Sequence, residues 1–279
     1  MDIGVLLPTG ASQWGEGGNP RELVAFGRRA ERLGFASLFV NDSLISPRIE
    51  ALTMLAALAP TTETVTLGTG ALLPFLRRPI QAAQSLASID LLSGGRLTVT
   101  VGAGFPGHFG RPFYTLSEVP WERRFARLDE TVALWRALWN GAGSFHGEIL
   151  EFADIPPATK PFQAGGPPIW LGGATPAALV RTGRTYDGWL PYPPDPADYA
   201  RAAYGMPLKE LEKIQAVVTG SANQVLNALA RYVTAGARHI VTRLGALDLR
   251  SQRDQLERIG ALIPALRASV DHESVSGAS

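Results

Sequence analysis

The feature that most constrains the fold is a rhythm: short unbroken apolar runs alternate with longer stretches of helical period. Segments 3–7, 37–41, 65–73, 97–101, 169–171, 188–190 and 239–243 have the length and content of strands buried on both faces. Between and after them, 19–34, 49–59, 79–92, 121–139, 176–182, 221–235 and 252–266 read as helices. Continuous apolar strands separated by helices predict a parallel sheet covered on both sides. Six such units in succession favour a closed α/β barrel of the (β/α) TIM-like type over an open doubly wound sheet, which pattern alone leaves possible.

Local signals support these boundaries. Asn19 is placed to cap the first helix, with Pro20 in its first turn and Glu22 completing a capping box. Pro60 ends the second helix, and Ser93-Gly94-Gly95 turns the chain into the fourth strand. In 121–139, Phe125, Leu128, Val132, Trp135 and Leu138 fall on one side, and the tryptophans at 121, 135 and 139 read as core or interface anchors. Residues 145–152 resemble a small hairpin. Past the sixth strand the rhythm breaks: 196–203 and 208–214 look helical, and only 216–219 offers strand character before residue 239. Seven firm strands stand where a complete barrel has eight. The expectation is one barrel domain over 1–268, with insertions at about 105–120 and 141–167 and a frayed tail at 269–279.

Composition excludes several function classes. Cysteine is absent, which removes disulfides, thiolate zinc sites, iron–sulfur clusters and cysteine nucleophiles. A net charge of +1 gives no reason to expect nucleic acid or an anionic membrane as partner. The N-terminal segment reads as a strand and not a signal peptide, and no apolar run approaches the ~20 residues of a membrane span. A soluble cytoplasmic protein is expected.

In a barrel, chemistry sits at the C-terminal ends of the strands. Those tips here are Pro8-Thr9-Gly10, Asn41-Asp42-Ser43, Gly70-Ala71, Gly102-Ala103-Gly104-Phe105, Gly172-Gly173-Ala174-Thr175 and Leu190-Pro191-Tyr192. Most are small, and glycine lets a backbone approach a flat ligand, although it equally serves tight turns. Ionisable groups are few: Asp42, with His108 and Glu118 after the fourth strand. That poverty suits a cofactor that carries its own redox chemistry. Gly172-Gly173-Ala174-Thr175-Pro176 joins a strand to a helix whose cap is Thr175, so its amides offer a phosphate site; an ordinary capped helix reads the same way. His108, His146, His239 and His272 form no metal-binding spacing, and His239, at a strand start, is expected to be structural. Gly102–Gly107 superficially matches a dinucleotide fingerprint but is read as leading into a long loop, without the required helix. Trp14, Phe105, Phe109 and Tyr114 suggest a partly hydrophobic substrate pocket.

The order of Val65-Thr66-Leu67-Gly68-Thr69-Gly70, Leu73-Pro74, Arg78-Pro79, Leu91-Leu92-Ser93-Gly94-Gly95-Arg96-Leu97 and Val101-Gly102-Ala103-Gly104 resembles the bacterial luciferase-like superfamily. Pro168-Ile169-Trp170-Leu171-Gly172-Gly173 and Asp187-Gly188-Trp189-Leu190-Pro191 match its later motifs. The resemblance covers about 1–200 and resumes over about 203–268. It implies a luciferase-like barrel that binds FMN or the deazaflavin coenzyme F-420 at its C-terminal mouth, without metal, as a homodimer acting on a small molecule. Asp42 and Ser43 then lie beside the ring, Thr69 and Gly70 form a strand-three bulge behind it, and Gly104 belongs to the same rim. Gly172, Gly173 and Thr175 match the phosphate turn, and Asp42, Ser43 and His108 are the candidate catalytic residues.

Two departures stand out. Many members have histidine where this chain has Ser43, and a serine hydroxyl is no general base near neutral pH. The strand-seven unit is also shortened or missing, at about 201–204, and 216–219 or the adjacent helices are expected to fill part of that gap. The leading expectation is an oxidoreductase of the monooxygenase or hydride-transfer type on a small, partly hydrophobic substrate. A non-catalytic flavin-binding protein with a degenerate barrel is the second reading, and a cofactor-free hydrolase or isomerase the third.

Overall fold

A computed structural model of the chain describes residues 1–105, 107–173, 175–190, 218, 220–234 and 237–268. Seven parallel strands form one sheet: β1 (Asp2–Leu6), β2 (Ser37–Val40), β3 (Thr66–Leu72), β4 (Leu97–Val101), β7 (Ile169–Gly172), β8 (Gly188–Leu190) and β9 (His239–Arg243). The short antiparallel pair β5 (Phe145–His146) and β6 (Glu151–Phe152) is the expected hairpin. In space the large sheet runs β8, β7, β4, β3, β2, β1, β9. Each strand of the sheet from β1 to β8 pairs with the one before it, and the last strand returns beside the first, as barrel closure requires. Among the described residues β8 and β9 do not pair, so the sheet is a half-barrel of the TIM-like α/β type. Most of the 216–219 segment lies outside the described residues, as do 191–217 and 269–279.

The helices are α1 (Glu22–Arg32), α2 (Ala51–Leu58), α3 (Pro79–Ser93), α4 (Gly107–Leu116), α5 (Arg124–Trp139), α6 (Pro176–Thr185), α7 (Ala222–Thr234) and α8 (Leu249–Gly260). Alternation along each strand decides which residues meet them. Ile3, Val5, Leu38, Val40, Leu67, Leu97, Val99, Ile169 and Leu171 join Leu23, Phe26, Leu55, Leu86 and Trp135 in one core. Trp135 and Trp139 anchor α5 on α3, their indole N–H groups donating to the carbonyls of Pro79 (2.9 Å) and Ala83 (3.1 Å).

Several local expectations need correction. Asn19 accepts from the Arg21 N–H in a turn that precedes α1, while the Glu22 carboxylate pairs with Arg253, so no capping box forms. Pro60 follows the end of α2 as expected, but the chain continues there into a short 3-10 turn. Phe125 departs from the buried side of α5 and is 46% exposed, and Trp121 precedes that helix. The largest correction is α4, which occupies part of what reads as a long loop.

The opposite face of the sheet is filled by Phe39, Trp170 and His239, whose ring centroids lie 6.0–6.4 Å apart. The strand glycines make room for them: a Cβ on Gly68 would meet the Phe39 ring at 2.5 Å and one on Gly188 the Trp170 indole at 2.6 Å. His239 Nε2 hydrogen-bonds Ser37 Oγ at 2.7 Å, at the strand starts. Burial holds its pKa below the ordinary 6.5, with Asp2 pulling weakly the other way. The unfolded chain therefore takes up a proton that the folded one resists. Stability is full above pH 6.5 and falls as the pH drops through the lowered folded value. His239→Gln, which cannot titrate, should flatten the fall in Tm between pH 6.5 and 5. An acid limb of unchanged slope would remove His239 as its source.

Candidate active site at the strand C-termini

The rim is assembled from the exits of β2, β3, β4 and β7. At β3 four residues, Thr69 to Leu72, span the interval that three, Val99 to Val101, occupy on β4, so the expected bulge is present at Gly70–Ala71. Thr69 is fully buried and donates to the Thr100 carbonyl at 2.7 Å, which fixes the bulge without leaving the hydroxyl free for a ligand. Gly102 and Gly172 flank it; a Cβ on either would lie 3.7 Å and 3.5 Å from the Ala71 methyl. Small atoms from three adjacent strands thus converge on one spot.

Asp42 and Ser43 stand at the β2 exit, and both are buried. Asp42 is locked: its carboxylate accepts from Arg77 Nη1 (2.6 Å), Arg77 Nη2 (3.0 Å) and the Leu73 N–H (2.9 Å). Arg77 also pairs with Glu50, which caps α2 by accepting from the Thr53 N–H. Burial lowers the Arg77 pKa, but the two carboxylates outweigh it and raise it overall. Ser43 Oγ accepts from the Ile45 N–H at 3.1 Å, a local turn. Both residues hold the shape of the rim. Arg77, not singled out from sequence, is the missing partner; it directly precedes the Arg78-Pro79 motif.

Gly104 leaves β4 at φ +77°, and a Cβ there would press on the Phe75 ring at 3.2 Å. Tyr114 stacks on Phe75 (centroids 3.7 Å) and donates to the Ala103 carbonyl at 2.9 Å, tying α4 to the β4 exit. Burial pushes its phenol up to about 12 against the pull of Arg124 and Arg127. His108 falls in the first turn of α4, and its side chain lies outside the described residues, as does that of Phe109. Glu118, just past α4, is exposed. Trp14 turns its indole N–H to the Pro8 carbonyl (2.9 Å).

The turn after β7 has the expected form. Gly173 adopts φ +107°, Thr175 Oγ1 accepts from the Ala178 N–H at 3.2 Å, and Pro176 occupies the first position of α6. Trp189 on β8 braces the turn, donating to the Gly173 carbonyl at 2.7 Å. The Ala177 amide lies in the first turn of α6, where backbone N–H groups have no intrahelical acceptor. The absence of a helix after Gly104 does not hold, since α4 starts there. What opposes a dinucleotide crevice is the strand order, which has no reversal from β1 to β8. Among the described residues no group of three or more His, Cys, Asp or Glu could hold a metal, and no helix is long and apolar enough to cross a membrane.

A parallel half-barrel with its small-residue rim at the strand C-termini is the architecture of a partial TIM-like barrel. The profile described as luciferase-like monooxygenase matches residues 1–206, and the chain belongs to that family. An F-420-dependent glucose-6-phosphate dehydrogenase of Amycolatopsis mediterranei is 32% identical over 197 residues, covering 66% of this chain and 57% of that protein. The enzyme of the same name from Intrasporangium calvum is 33% identical over 199 residues, covering 66% and 58%. The chain thus spans little more than half the length of these curated relatives. Among solved structures, a monooxygenase from Streptomyces bottropensis superposes with a TM-score of 0.76 at 21% identity, over 95% of this chain and 99% of that one. An F-420-dependent secondary alcohol dehydrogenase gives 0.70 at 18% identity, over 95% and 98%. At such identities the likeness is one of fold.

Proposed function

We propose that the chain is an oxidoreductase that binds FMN or coenzyme F-420 at this rim and acts on a small, partly hydrophobic organic substrate. The observation that carries the reading is the convergence of Gly70–Ala71, Gly102 and Gly172 beside a capped helix start. Such a surface leaves room for a planar ring and gives its phosphorylated tail a place to dock. The names of the curated relatives and of the alcohol dehydrogenase favour the deazaflavin, and hydride transfer over use of oxygen. Bound there, the cofactor supplies the hydride chemistry itself. The chain's part is to position it: the bulge backs the ring, Thr175 and the Ala177 amide hold the phosphate, and the Asp42–Arg77 pair keeps the β2 exit rigid.

The reading extends to one barrel domain over 1–268 and a cytoplasmic homodimer, with Thr69, Gly70, Gly104, Gly172, Gly173 and Thr175 around the cofactor. His108 is the remaining rim candidate for proton handling. The locking of Asp42 and the turn made by Ser43 favour a second reading, flavin binding without turnover. Titration with FMN, riboflavin and F-420, followed by turnover assays on aldehydes and secondary alcohols, separates the two. Saturable binding with turnover supports the enzyme, saturable binding alone the carrier, and failure to bind either cofactor removes both. Thr175→Val should weaken FMN about tenfold, the size of one charge-assisted hydrogen bond, and leave riboflavin unchanged. Equal losses for both would place the phosphate elsewhere.

A further inference from the structure

The motif Asp187-Gly188-Trp189 ties β8 to β7 at three levels, each by a different means. At the start of β7, the Asp187 carboxylate accepts from the Ile169 N–H (2.8 Å) and from Arg136 Nη2 (2.7 Å). In the middle, Gly188 pairs with Trp170 and leaves room for its indole. At the end, Trp189 lies opposite Leu171, and its Nε1–H reaches past that residue to the Gly173 carbonyl at 2.7 Å. Trp189 is 41% exposed, so burial alone is a poor reason for so large a side chain there. What it has and other large apolar residues lack is the indole N–H, a donor only.

The carbonyl that Trp189 holds belongs to the most mobile kind of backbone in the turn. Gly173 has φ +107°, a conformation that residues with side chains rarely adopt, and a glycine peptide unit rotates at little cost. Among the described residues no other donor bonds to this oxygen. Left free, a carbonyl oxygen can swing towards an incoming anion and repel it; bound by an indole N–H, it cannot. The peptide unit is planar, so fixing its oxygen fixes the whole unit, and donation to the oxygen strengthens the same unit as a donor. We infer that Trp189 is a positioning residue, latching the turn between β7 and α6 in the form that receives a phosphate without itself touching the ligand. This rests on the docking of the cofactor's phosphate at that turn, as proposed above.

The test compares the affinities of FMN and riboflavin, which share a ring and differ in the phosphate, in the whole chain and its variants. The parent should prefer FMN. Trp189→Phe and Trp189→Leu both remove the donor and keep an apolar side chain. Each should weaken FMN about five- to tenfold, the size of one hydrogen bond, and leave riboflavin unchanged. Asp187→Ala cuts the tie at the other end of β7; it should lower Tm and leave the ratio of the two affinities at the parent's value. A ratio that stays at the parent's value in either Trp189 variant would overturn the latch. So would an equal fall of the ratio in Asp187→Ala, which would make the effect a general loosening of β8. A parent that binds neither compound, or both equally, removes the phosphate site and the latch together. A parent that prefers FMN, with Trp189 variants that prefer it just as strongly, removes the latch alone.

Discussion

Arg96→Met should lower the stability of the chain by about 3–5 kcal/mol, the loss expected when a polar network held by one partly buried charge is broken. The Arg96 guanidinium donates five hydrogen bonds: Nε to the Ser93 carbonyl (2.8 Å), Nη1 to Thr62 Oγ1 (3.0 Å) and the Val65 carbonyl (2.9 Å), and Nη2 to the carbonyls of Ala59 (2.7 Å) and Thr62 (2.9 Å). It stitches the end of α2 and the start of β3 to the turn that enters β4. Methionine keeps the length and leaves four carbonyls and a hydroxyl without their donor. Arg96→Lys should recover little, because an ammonium has three donors and no planar fork. Urea titration gives both values; a cost below 1 kcal/mol for Arg96→Met would show that the network is dispensable.

The second large effect concerns Asp42. Asp42→Asn should cost about 3 kcal/mol, since it strips half the charge compensation from an Arg77 side chain only 17% exposed. Asparagine still accepts from the Leu73 N–H, so the loss is specifically that of the ion pair. Arg77→Gln should be comparably harmful, and the double variant less harmful than the sum of the two. If instead Asp42→Asn leaves stability unchanged and abolishes turnover, Asp42 is an acid–base residue and its lock on Arg77 is incidental.

These two residues show what was legible in the chain before folding. The strands were readable because each is an unbroken apolar run, and their parallel pairing followed from the helices between them. The β3 bulge and the Thr175 cap were readable through local motifs at 68–71 and 172–176. The Ser93–Leu97 motif was visible as a family mark, but its purpose was not, because four of the five acceptors of Arg96 lie 31 to 37 positions away. Likewise Asp42 reads as a candidate catalytic residue, and its bonds to Arg77 and Leu73, 35 and 31 positions away, have no local signature.

The helix α4 is illegible in the sequence for a different reason. Gly107, Gly110 and Pro112 are poor helix formers, and tertiary packing overrides them. Phe113 and Tyr114 bury against Leu73 and Phe75, and Gly110 is required because a Cβ there would come within 1.9 Å of the Phe105 carbonyl oxygen. None of that is periodic in sequence.

The most direct test of the central claim is a crystal structure of the chain grown with FMN. The account predicts the isoalloxazine in van der Waals contact with the Gly70–Ala71 bulge and the phosphate within hydrogen-bond distance of Thr175 and the Ala177 amide. A flavin seated away from the β3 and β7 exits, or a rim closed by side chains when flavin is present in excess, would contradict it.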